Sequence, residues 1–302
     1  MKPLLIICGP TAIGKSALAM ELAEKIGGEI ISADSGQVWR ELDIGTAKPN
    51  FHDLRRVPHH LIDVVGPGDH FDASLYTQLA DAAIASIIER GKQPILVGGC
   101  GLYIQVLLKG LCEAPAQDKE IREQLHQRLK EEGIEAMFAS LQKCDPVTAG
   151  KIHPNDKTRI IRALEVYEIT GEPLASFHEK HQFQKPRYEA KQFGLTCERE
   201  ELYKRIEKRI DWMMSNGWDE ETRELLRLYK ADSQAMQCLG YVQLVRYLRG
   251  ELPLAEAVEE IKKQTRNYAK RQLTWFKKEK TIQWLSPTEA LTSLLLACRR
   301  GR

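Results

Sequence analysis

Residues 9–16, Gly-Pro-Thr-Ala-Ile-Gly-Lys-Ser, carry the pattern with the clearest chemical meaning in this chain. They form a Gly-x4-Gly-Lys-Ser phosphate-binding loop between an apolar run at 4–8 and an amphipathic segment that starts at Ala17. The glycines let successive backbone N–H groups point inward at a helix N-terminus, where they bind phosphate oxygens. Lys15 adds an ammonium for the outer phosphates, and the Ser16 hydroxyl is a ligand for Mg²⁺. The loop predicts a polyphosphate ligand, but not which one or which bond breaks.

Two more polar or glycine-rich segments follow predicted strands. Asp34-Ser35-Gly36-Gln37 comes after a strand at 29–32, and Gly98-Gly99-Cys100-Gly101 after a strand at 94–97. Ligands bind at the carboxyl ends of strands in an open parallel sheet, so Asp34 is expected to face the reacting groups there. The alternatives are an Asx-turn that leaves the first strand and a tight strand-to-helix turn after the second.

Arg205 and Arg209 stand four residues apart on a helix that begins near Glu198, so they share one face. Paired guanidiniums can bind a leaving pyrophosphate. The neighbouring Glu201 and Glu207 favour the alternative, which is a row of surface ion pairs.

The remaining candidate ligands do not predict a metal or disulfide site. The spacing of His59, His60, Asp63 and His70 fits no standard zinc pattern, so packing and loop hydrogen bonds are the favoured interpretation. The seven cysteines are scattered, odd in number and never in Cys-x-x-Cys spacing. They indicate a reducing, cytoplasmic environment.

Composition places the chain among globular proteins with one large domain plus an insert, or with two domains. It has 302 residues, 43% of them hydrophobic and 28% charged, and no apolar stretch of bilayer length. The net charge of +2 predicts no global attraction to nucleic acid. Cations do cluster within 256–280 and at Lys151, Lys157, Arg159 and Arg162, although each cluster alone is typical of a solvated helix face.

Short apolar runs alternate with amphipathic segments, a pattern typical of a doubly wound α/β sheet with right-handed crossovers. A helix is predicted over 74–90, with Ser74 as its N-cap and Gly91 after its end. The predicted strands are 4–8, 29–32, 61–65, 94–97, 191–196 and 282–285.

The segment 113–187 lacks a convincing strand and is predicted to be an all-helical insert. Its helices are expected after Asp118, over 134–143 and from Asp156 to Thr170. The predicted organisation is therefore an α/β core in two parts, 1–112 and 188–302, around this insert. The second part ends in a helical region that includes a basic helix.

Several segments together resemble the tRNA dimethylallyltransferases, also called tRNA isopentenyltransferases, of the bacterial type. The resemblance covers essentially the whole chain and includes two runs that are more specific than the phosphate loop. The matching segments, in order, are 9–16, Ile31-Ser-Ala-Asp-Ser-Gly-Gln-Val38, Asp43-Ile-Gly-Thr-Ala-Lys-Pro49, Pro58-His-His-Leu-Ile-Asp63, Val97-Gly-Gly99, His153-Pro-Asn-Asp156, Arg162-Ala-Leu-Glu-Val166 and Tyr268-Ala-Lys-Arg-Gln-Leu-Thr-Trp275.

The resemblance implies a P-loop NTPase-like parallel sheet in which the loop holds the pyrophosphate of dimethylallyl pyrophosphate together with Mg²⁺. The loop residues are Gly9, Pro10, Thr11, Ala12, Ile13, Gly14, Lys15 and Ser16. By the same resemblance Lys15, Ser16 and Arg209 act on the pyrophosphate, with Ser16 as the metal ligand. Asp34 matches the carboxylate that contacts the exocyclic amine of the adenine 3′ of the anticodon.

The resemblance also implies contacts with the anticodon stem-loop, with the insert closing over it as a clamp. The implied tRNA-binding residues are Asp34, Ser35, Gly36, Gln37, Cys100, Thr158, Arg159, Ile160, Ile161, Arg162, Gln237, Cys238, Leu239, Gly240, Tyr241 and Val242. Cys100 stands where the family usually has Thr, and Trp39 where it usually has Tyr. Gln237 and Val242 occupy positions often held by Arg.

The implied reaction is alkyl transfer to the adenine N6 with release of pyrophosphate, by a monomer. Two other functions remain open from the residues themselves. A P-loop small-molecule kinase shares the loop, the sheet and an inserted lid, and it would turn over ATP without RNA. A P-loop protein that binds RNA without catalysis would tolerate the loss of the Asp34 carboxylate.

Overall fold

A computed structural model describes residues 2–181 and 186–299. Within them the strands are β1 (Leu4–Cys8), β2 (Gly28–Ala33), β3 (His59–His60), β4 (Gln93–Gly98), β5 (Ala190–Leu195) and β6 (Gln283–Leu285). Every residue of β1 and β2 is buried, as expected for strands covered by helices on both faces. Five of the six predicted strands are confirmed to within one residue at either end.

The strands form one sheet in the order β3-β2-β4-β1-β5-β6, and every pairing in it is parallel. At one edge Gly98 pairs with both Cys8 and Ala33, so the chain leaves β1, β2 and β4 side by side. The predicted fold class, a parallel α/β sheet flanked by helices, is therefore confirmed. Its register brings the phosphate loop, the Asp34 segment and the Gly98 segment to a common edge.

Helices account for most of the remaining described residues, and none is long and apolar enough to cross a membrane. They are α1 (Lys15–Ile26), α2 (Phe51–Arg56), α3 (Ala73–Glu89), α4 (Gly101–Lys109), α5 (Lys119–Cys144), α6 (Pro146–Ala149), α7 (Lys157–Thr170), α8 (Leu174–His181), α9 (Arg199–Ser215), α10 (Trp218–Leu228), α11 (Tyr241–Leu248), α12 (Leu254–Phe276) and α13 (Pro287–Arg299).

The chain divides into two compact units. The first contains the sheet and runs to Leu108 and again from Arg187. The second, Lys109–Pro186, is helical and has its own buried cluster, whose members include Leu125, Met137, Leu141, Ile160 and Leu164. Gly133 interrupts α5 with a φ of 81°, so two shorter helical stretches meet there.

The predicted strand at 61–65 is wrong. The ladder beside β2 contains only His59 and His60, because Leu61 and Asp63 adopt φ values of 63° and 58° that no extended strand accepts. Val65 then forms a single isolated bridge with Trp39. The apolar residues at 61–65 therefore lie in a turn, in which only Leu61 is fully buried.

The predicted cap of α3 is also wrong by two residues. Asp72, not Ser74, is the N-cap: its Oδ1 accepts hydrogen bonds from the backbone N–H groups of Ser74 and Leu75, both at 2.9 Å. Asp and Ser both favour this position, and a carboxylate binds the free amides of the first turn more strongly than a hydroxyl does.

Candidate functional site

The phosphate loop joins β1 to α1 through a backbone that only small residues adopt easily. Gly9 and Gly14 have φ values of 140° and 102°, and Ala12 has a φ of 63°. At Gly9 a Cβ would also lie 2.9 Å from the Leu195 carbonyl oxygen of β5. The glycine therefore meets two requirements there, a positive φ and close packing against the next strand. Lys15 is placed at the first position of α1.

The Lys15 ammonium points back over the loop. Its Nζ donates a hydrogen bond to the Pro10 carbonyl at 2.7 Å. Burial lowers the pKa of Lys15 to about 8; Asp34 opposes this shift, and the nearby Arg209 guanidinium adds to it. An ammonium in this position gains from a phosphate ligand, because the ligand adds negative charge that offsets the cost of burial.

The two arginines of α9 both reach the phosphate loop. Arg209 Nη1 donates to Thr11 Oγ1 at 3.1 Å, and burial lowers the pKa of Arg209. Arg205 Nη1 donates to the Ile13 carbonyl at 3.3 Å, while its Nη2 pairs with Glu201 at 2.7 Å. The surface ion pair expected from the sequence therefore exists for Arg205, and Arg209 belongs to the site.

Asp34 begins a short turn, residues 34–37, at the end of β2. Its Oδ1 accepts a hydrogen bond from the Gly36 amide at 2.9 Å, which is the Asx-turn considered from the sequence. The same carboxylate lines two neighbouring cavities, and it lies close enough to Lys15 and Arg209 to affect their pKa values. The Asx-turn is therefore confirmed, and it leaves the carboxylate at the cavity lining, where the predicted functional role requires it.

Gln37, a predicted tRNA contact, uses its side-chain amide for hydrogen bonds within the protein. Its Oε1 accepts from Ser32 Oγ at 2.9 Å, and its Nε2 donates to the carbonyls of Thr46 and Ala47 at 3.3 and 3.2 Å. These bonds tie the turn 34–37 to residues 46 and 47. Gln37 is therefore part of the framework of the site as well as part of its lining.

Two cavities of about 320 and 440 Å³ meet at the turn 34–37. The smaller borders the phosphate loop and is called the phosphate-side cavity. The larger is lined mainly by aromatic and apolar side chains and is called the aromatic cavity. Both share Thr11, Ala12, Asp34, Thr46 and Arg209. The smaller also includes Gly14, Lys15, Ser16 and Gln272; the larger also includes Trp39, Tyr103, Trp218, Cys238, Tyr241 and Tyr268. An anion held on one side would thus lie beside a carboxylate and an apolar chamber.

Gln272 of α12 is a site residue that sequence reasoning did not single out. Its Oε1 accepts from the Thr11 amide at 2.8 Å, and its Nε2 donates to the Gly99 carbonyl at 2.9 Å. A Cβ at position 99 would lie 2.1 Å from that Nε2, so the glycine makes room for the amide. In the sequence, the only sign of its importance was its place in the run 268–275. That run contributes to the family resemblance but has no pattern of catalytic or ligand-binding residues.

Of the remaining predicted tRNA contacts in the first unit, Gln237, Cys238, Leu239 and Tyr241 line the larger cavity. Burial raises the pKa of the Cys238 thiol to about 12, so the thiol stays protonated. The Cys100 amide donates to the Ala33 carbonyl at 3.0 Å, and burial raises the pKa of its thiol to about 11.

In the second unit the predicted stretch 158–162 divides into two kinds of residue. Thr158 and Arg159 are exposed at the start of α7. Ile160 and Ile161 are 0% and 3% exposed and pack in the core of that unit, so their side chains do not face solvent. Arg162 donates to Glu165 at 2.8 Å and to the Pro115 carbonyl at 2.6 Å, contacts that hold the unit together.

The basic cluster at 256–280, on α12 and just after it, is likewise divided. Lys262 pairs with Asp211 at 2.8 Å and Arg266 with Glu207 at 2.7 Å, so these two cations fasten α12 to α9. The exposed cations of the cluster are Lys263, Lys270, Arg271, Lys277, Lys278 and Lys280. They are available to an anionic partner.

The histidines interpreted as structural have protein partners. His60 Nε2 lies 2.7 Å from Glu29 Oε2, and His59 Nδ1 lies 2.8 Å from the Val57 carbonyl. No group of three or more metal-ligating side chains occurs among residues 2–181 and 186–299.

Comparisons with known proteins place this site in context. The family model described as IPP transferase matches residues 37–279. A tRNA dimethylallyltransferase of Geobacter metallireducens is 50% identical over 293 residues, which cover 97% of this chain and 95% of that protein. A full-length tRNA isopentenylpyrophosphate transferase from Bacillus halodurans matches with a TM-score of 0.72 and 37% identity, over 97% and 94% of the two chains. The structure of a eukaryotic dimethylallyltransferase acting on tRNA matches with a TM-score of 0.80 and 28% identity, over 95% of this chain and 74% of that one.

Proposed function

The chain belongs to the IPP transferase family, and from that membership and the geometry of the site we propose how it works. It is an enzyme that transfers a dimethylallyl group to tRNA. The proposal concerns the donor, the acceptor atom and the role of each residue. The observation that carries it is that Thr11, Asp34 and Arg209 line the phosphate-side cavity and the aromatic cavity at once.

The donor is dimethylallyl pyrophosphate, with its diphosphate in the phosphate loop. An allylic diphosphate departs with cation-like character at C1, so catalysis depends mainly on stabilising the negative charge of the leaving group. The Lys15 ammonium and the Arg209 guanidinium supply fixed positive charge where that charge develops. The hydrocarbon portion then extends toward the apolar lining of the larger cavity.

Mg²⁺ fits this arrangement through the Ser16 hydroxyl, an exposed oxygen ligand at the N-terminus of α1 beside the phosphate-side cavity. When bound, the ion would add positive charge to the diphosphate oxygens. Ser16→Ala should raise the Mg²⁺ concentration needed for half-maximal activity, as measured by titrating the metal at saturating donor.

The acceptor is the exocyclic N6 of the adenine 3′ of the anticodon. A bond forms between N6 and C1 of the donor, and the C1–O bond breaks with its electron pair remaining on the diphosphate. The N6 proton becomes strongly acidic only as the N–C bond forms, so Asp34 accepts it late and needs no special basicity. The adenine must leave its stack to reach Asp34, and an unpaired loop base does so at the least cost.

Contacts to the rest of the tRNA come from exposed cations on both units. Lys263, Lys270 and Arg271 on α12 are candidates in the first unit, and Arg159 is a candidate in the second. Such contacts bind phosphates and position the RNA without reading its sequence. Ile160 and Ile161 are buried and are not proposed as contacts themselves.

The test is transfer of label from dimethylallyl pyrophosphate to an unmodified tRNA transcript, with Mg²⁺ and without ATP. Nucleoside digestion and mass spectrometry should then find isopentenyl-adenosine at one position. The matched control is a transcript with guanine in place of that adenine, which should take up no label. Failure to label the adenine transcript, or ATP turnover without RNA, would reject the proposal in favour of the kinase alternative, which the family membership does not favour.

The cellular form of the test compares tRNA nucleosides from cells with and without the gene for this chain. Isopentenyl-adenosine, or a nucleoside derived from it, should be lost with the gene. It should return with the wild-type gene but not with one encoding Asp34→Ala. Restoration by Asp34→Ala would instead support an RNA-binding role without catalysis.

A further inference from the structure

The Glu221 carboxylate, which does not line the larger cavity, binds the loop 43–46, which borders that cavity beside Asp34. Glu221, in the first turns of α10, accepts hydrogen bonds from three consecutive backbone amides. Its Oε2 accepts from the amides of Asp43 and Ile44 at 3.0 and 2.7 Å. Its Oε1 accepts from the Gly45 amide at 3.3 Å. Consecutive N–H groups that converge in this way form an anion-binding nest, here filled by a side chain of the protein itself.

The same carboxylate binds the start of α11. Tyr241 OH donates to Glu221 Oε1 at 2.6 Å. Burial raises the pKa of Tyr241 well above its usual range, and the Glu221 charge adds to the shift, so the hydroxyl remains a donor. Tyr241 is fully buried and lines the larger cavity. Glu221 therefore joins two chain segments that border one cavity.

An indole on the same face of α10 fills the space between those segments. Trp218 lies one helical turn before Glu221 and is 2% exposed. A Cβ at Gly45 would lie 2.1 Å from Trp218 Nε1, and a Cβ at Gly240 would lie 2.1 Å from its Cη2. The ring is thus pressed between the backbone of the loop and the residue that precedes α11. The position of α10 therefore determines where the loop 43–46 and the start of α11 lie.

The loop 43–46 also contacts the turn that contains Asp34. Thr46 follows the nest directly, and a Cβ at Gly36 would lie 2.9 Å from Thr46 Cγ2. The Gly36 amide in turn binds Asp34 Oδ1. Gln37 binds the Thr46 carbonyl from the other side of the turn. A shift of the loop by a few tenths of an ångström would therefore move the turn that holds the carboxylate.

We infer that Glu221 is a positioning residue for the transfer reaction: by binding residues 43–45 and Tyr241 it sets where the Asp34 carboxylate meets the adenine. This inference rests on the role of Asp34 in the proposed function. Loss of the Glu221 carboxylate should lower kcat about 10- to 100-fold, because charge-assisted hydrogen bonds are lost and the reacting groups are misplaced. Affinity for tRNA should change little, since the phosphate contacts remain.

The test replaces the carboxylate and then returns it as a small molecule. Glu221→Ala leaves three amides and a tyrosine hydroxyl around an empty space, and formate should restore a measurable part of kcat. Sodium chloride at the same ionic strength should not. Glu220→Ala, on the exposed side of the same helix, is the matched control and should keep full activity with no response to formate.

Two further readouts separate positioning from a general loss of fold. Glu221→Gln keeps the shape of the side chain and removes the charge. It should lower kcat by about tenfold while hydrogen exchange quickens at the amides of residues 43–45. A wild-type kcat in either variant would overturn the inference. So would a Glu221→Ala protein that is folded and has a low kcat that formate does not raise. Wild-type protein that transfers no label in the same assay would count against the proposed function instead.

Discussion

The phosphate loop and the turn 34–37 occupy the same edge of the sheet but obtain their shapes differently. The loop is eight consecutive residues whose glycines and lysine set the conformation locally, through two strongly positive φ values and a hydrogen bond from Lys15 to Pro10. The turn 34–37 depends on residues far along the chain, which reach it through the loop 43–46. A site can thus combine one part whose shape is mainly specified by a local sequence pattern and one part whose position depends mainly on tertiary packing.

The largest effect expected from this comparison is at Asp34. Asp34→Ala should lower kcat about 100- to 10,000-fold, as for the loss of a general base, with tRNA affinity nearly unchanged. Asp34→Asn sharpens the result, because its amide oxygen can still accept the Gly36 amide and preserve the turn. Equal loss in both variants, in single-turnover transfer assays, would assign the effect to the carboxylate. Substantial activity in Asp34→Asn would assign it to the turn.

Removal of the Lys15 charge should come next. Lys15→Ala should lower kcat/KM for the prenyl donor about 100- to 1000-fold, the usual cost of losing one donor to a developing anion. Binding of tRNA, measured by filter retention, should stay close to that of the wild type. A loss confined to tRNA binding would contradict the assignment of the loop to the diphosphate.

The lowered pKa of Lys15 predicts a pH dependence. Below about pH 8 the free enzyme carries the ammonium; above it the amine is neutral, so kcat/KM for the donor should fall about tenfold per pH unit. Lys15→Arg should remove this alkaline limb, whatever its absolute rate, because a guanidinium stays protonated. A wild-type profile that is flat to pH 10 would contradict the prediction.

Lys15 should also make the free energy of unfolding depend on pH. That free energy should rise with pH, whereas kcat/KM should fall. Because the pKa of Lys15 is about 8 in the folded chain and 10.5 in the unfolded chain, burial of the ammonium costs stability in full below pH 8. The cost is relieved as the pH rises from 8 to 10.5. A thermal-melting series on Lys15→Met, in which this contribution is absent, isolates it from the other titrating groups.

A smaller effect is expected at Gln272, which connects α12 to the phosphate loop. Gln272→Ala leaves the Thr11 amide and the Gly99 carbonyl without this partner, at about 1–3 kcal/mol for the buried carbonyl and less for the half-buried amide. The melting temperature should fall, and KM for the donor should rise about tenfold. Gln264→Ala, at an exposed position of the same helix, is the control and should change neither. Unchanged donor KM in folded Gln272→Ala would show that the loop holds its shape unaided.

The smallest effect is expected at Cys100, where the resemblance to the family leads us to expect Thr. The thiol is neutral, since burial raises its pKa to about 11. Cys100→Thr replaces a weak donor with a stronger one near Asp34, and should raise kcat by about two- to fivefold, the value of one modest hydrogen bond. Steady-state kinetics at saturating substrates measure this. A decrease would indicate that the surroundings of Cys100 have adapted to sulfur.

The sequence allowed prediction of the sheet, of the phosphate loop and of Asp34, because each is marked by a pattern within a short stretch of the chain. Strand boundaries followed from continuous apolar runs such as 4–8. The prediction failed at 61–65, where two positive φ values turn a mostly apolar run away from the extended conformation. Ile160 and Ile161 show the limit of a matched stretch: the helix buries them while it exposes Arg159 beside them. Gln272 and Glu221 could not be predicted, since their partners stand far away in the sequence.

The indole of Trp218 has a consequence for how this chain can vary. Gly45 has no positive φ, and the nearest obstacle to a Cβ there is the ring 2.1 Å away, whereas Gly240 is restricted by a φ of 97° as well. Alanine at position 45 therefore requires a smaller side chain at position 218. Substitution at these two sites has a permitted order, and the change at 218 must come first.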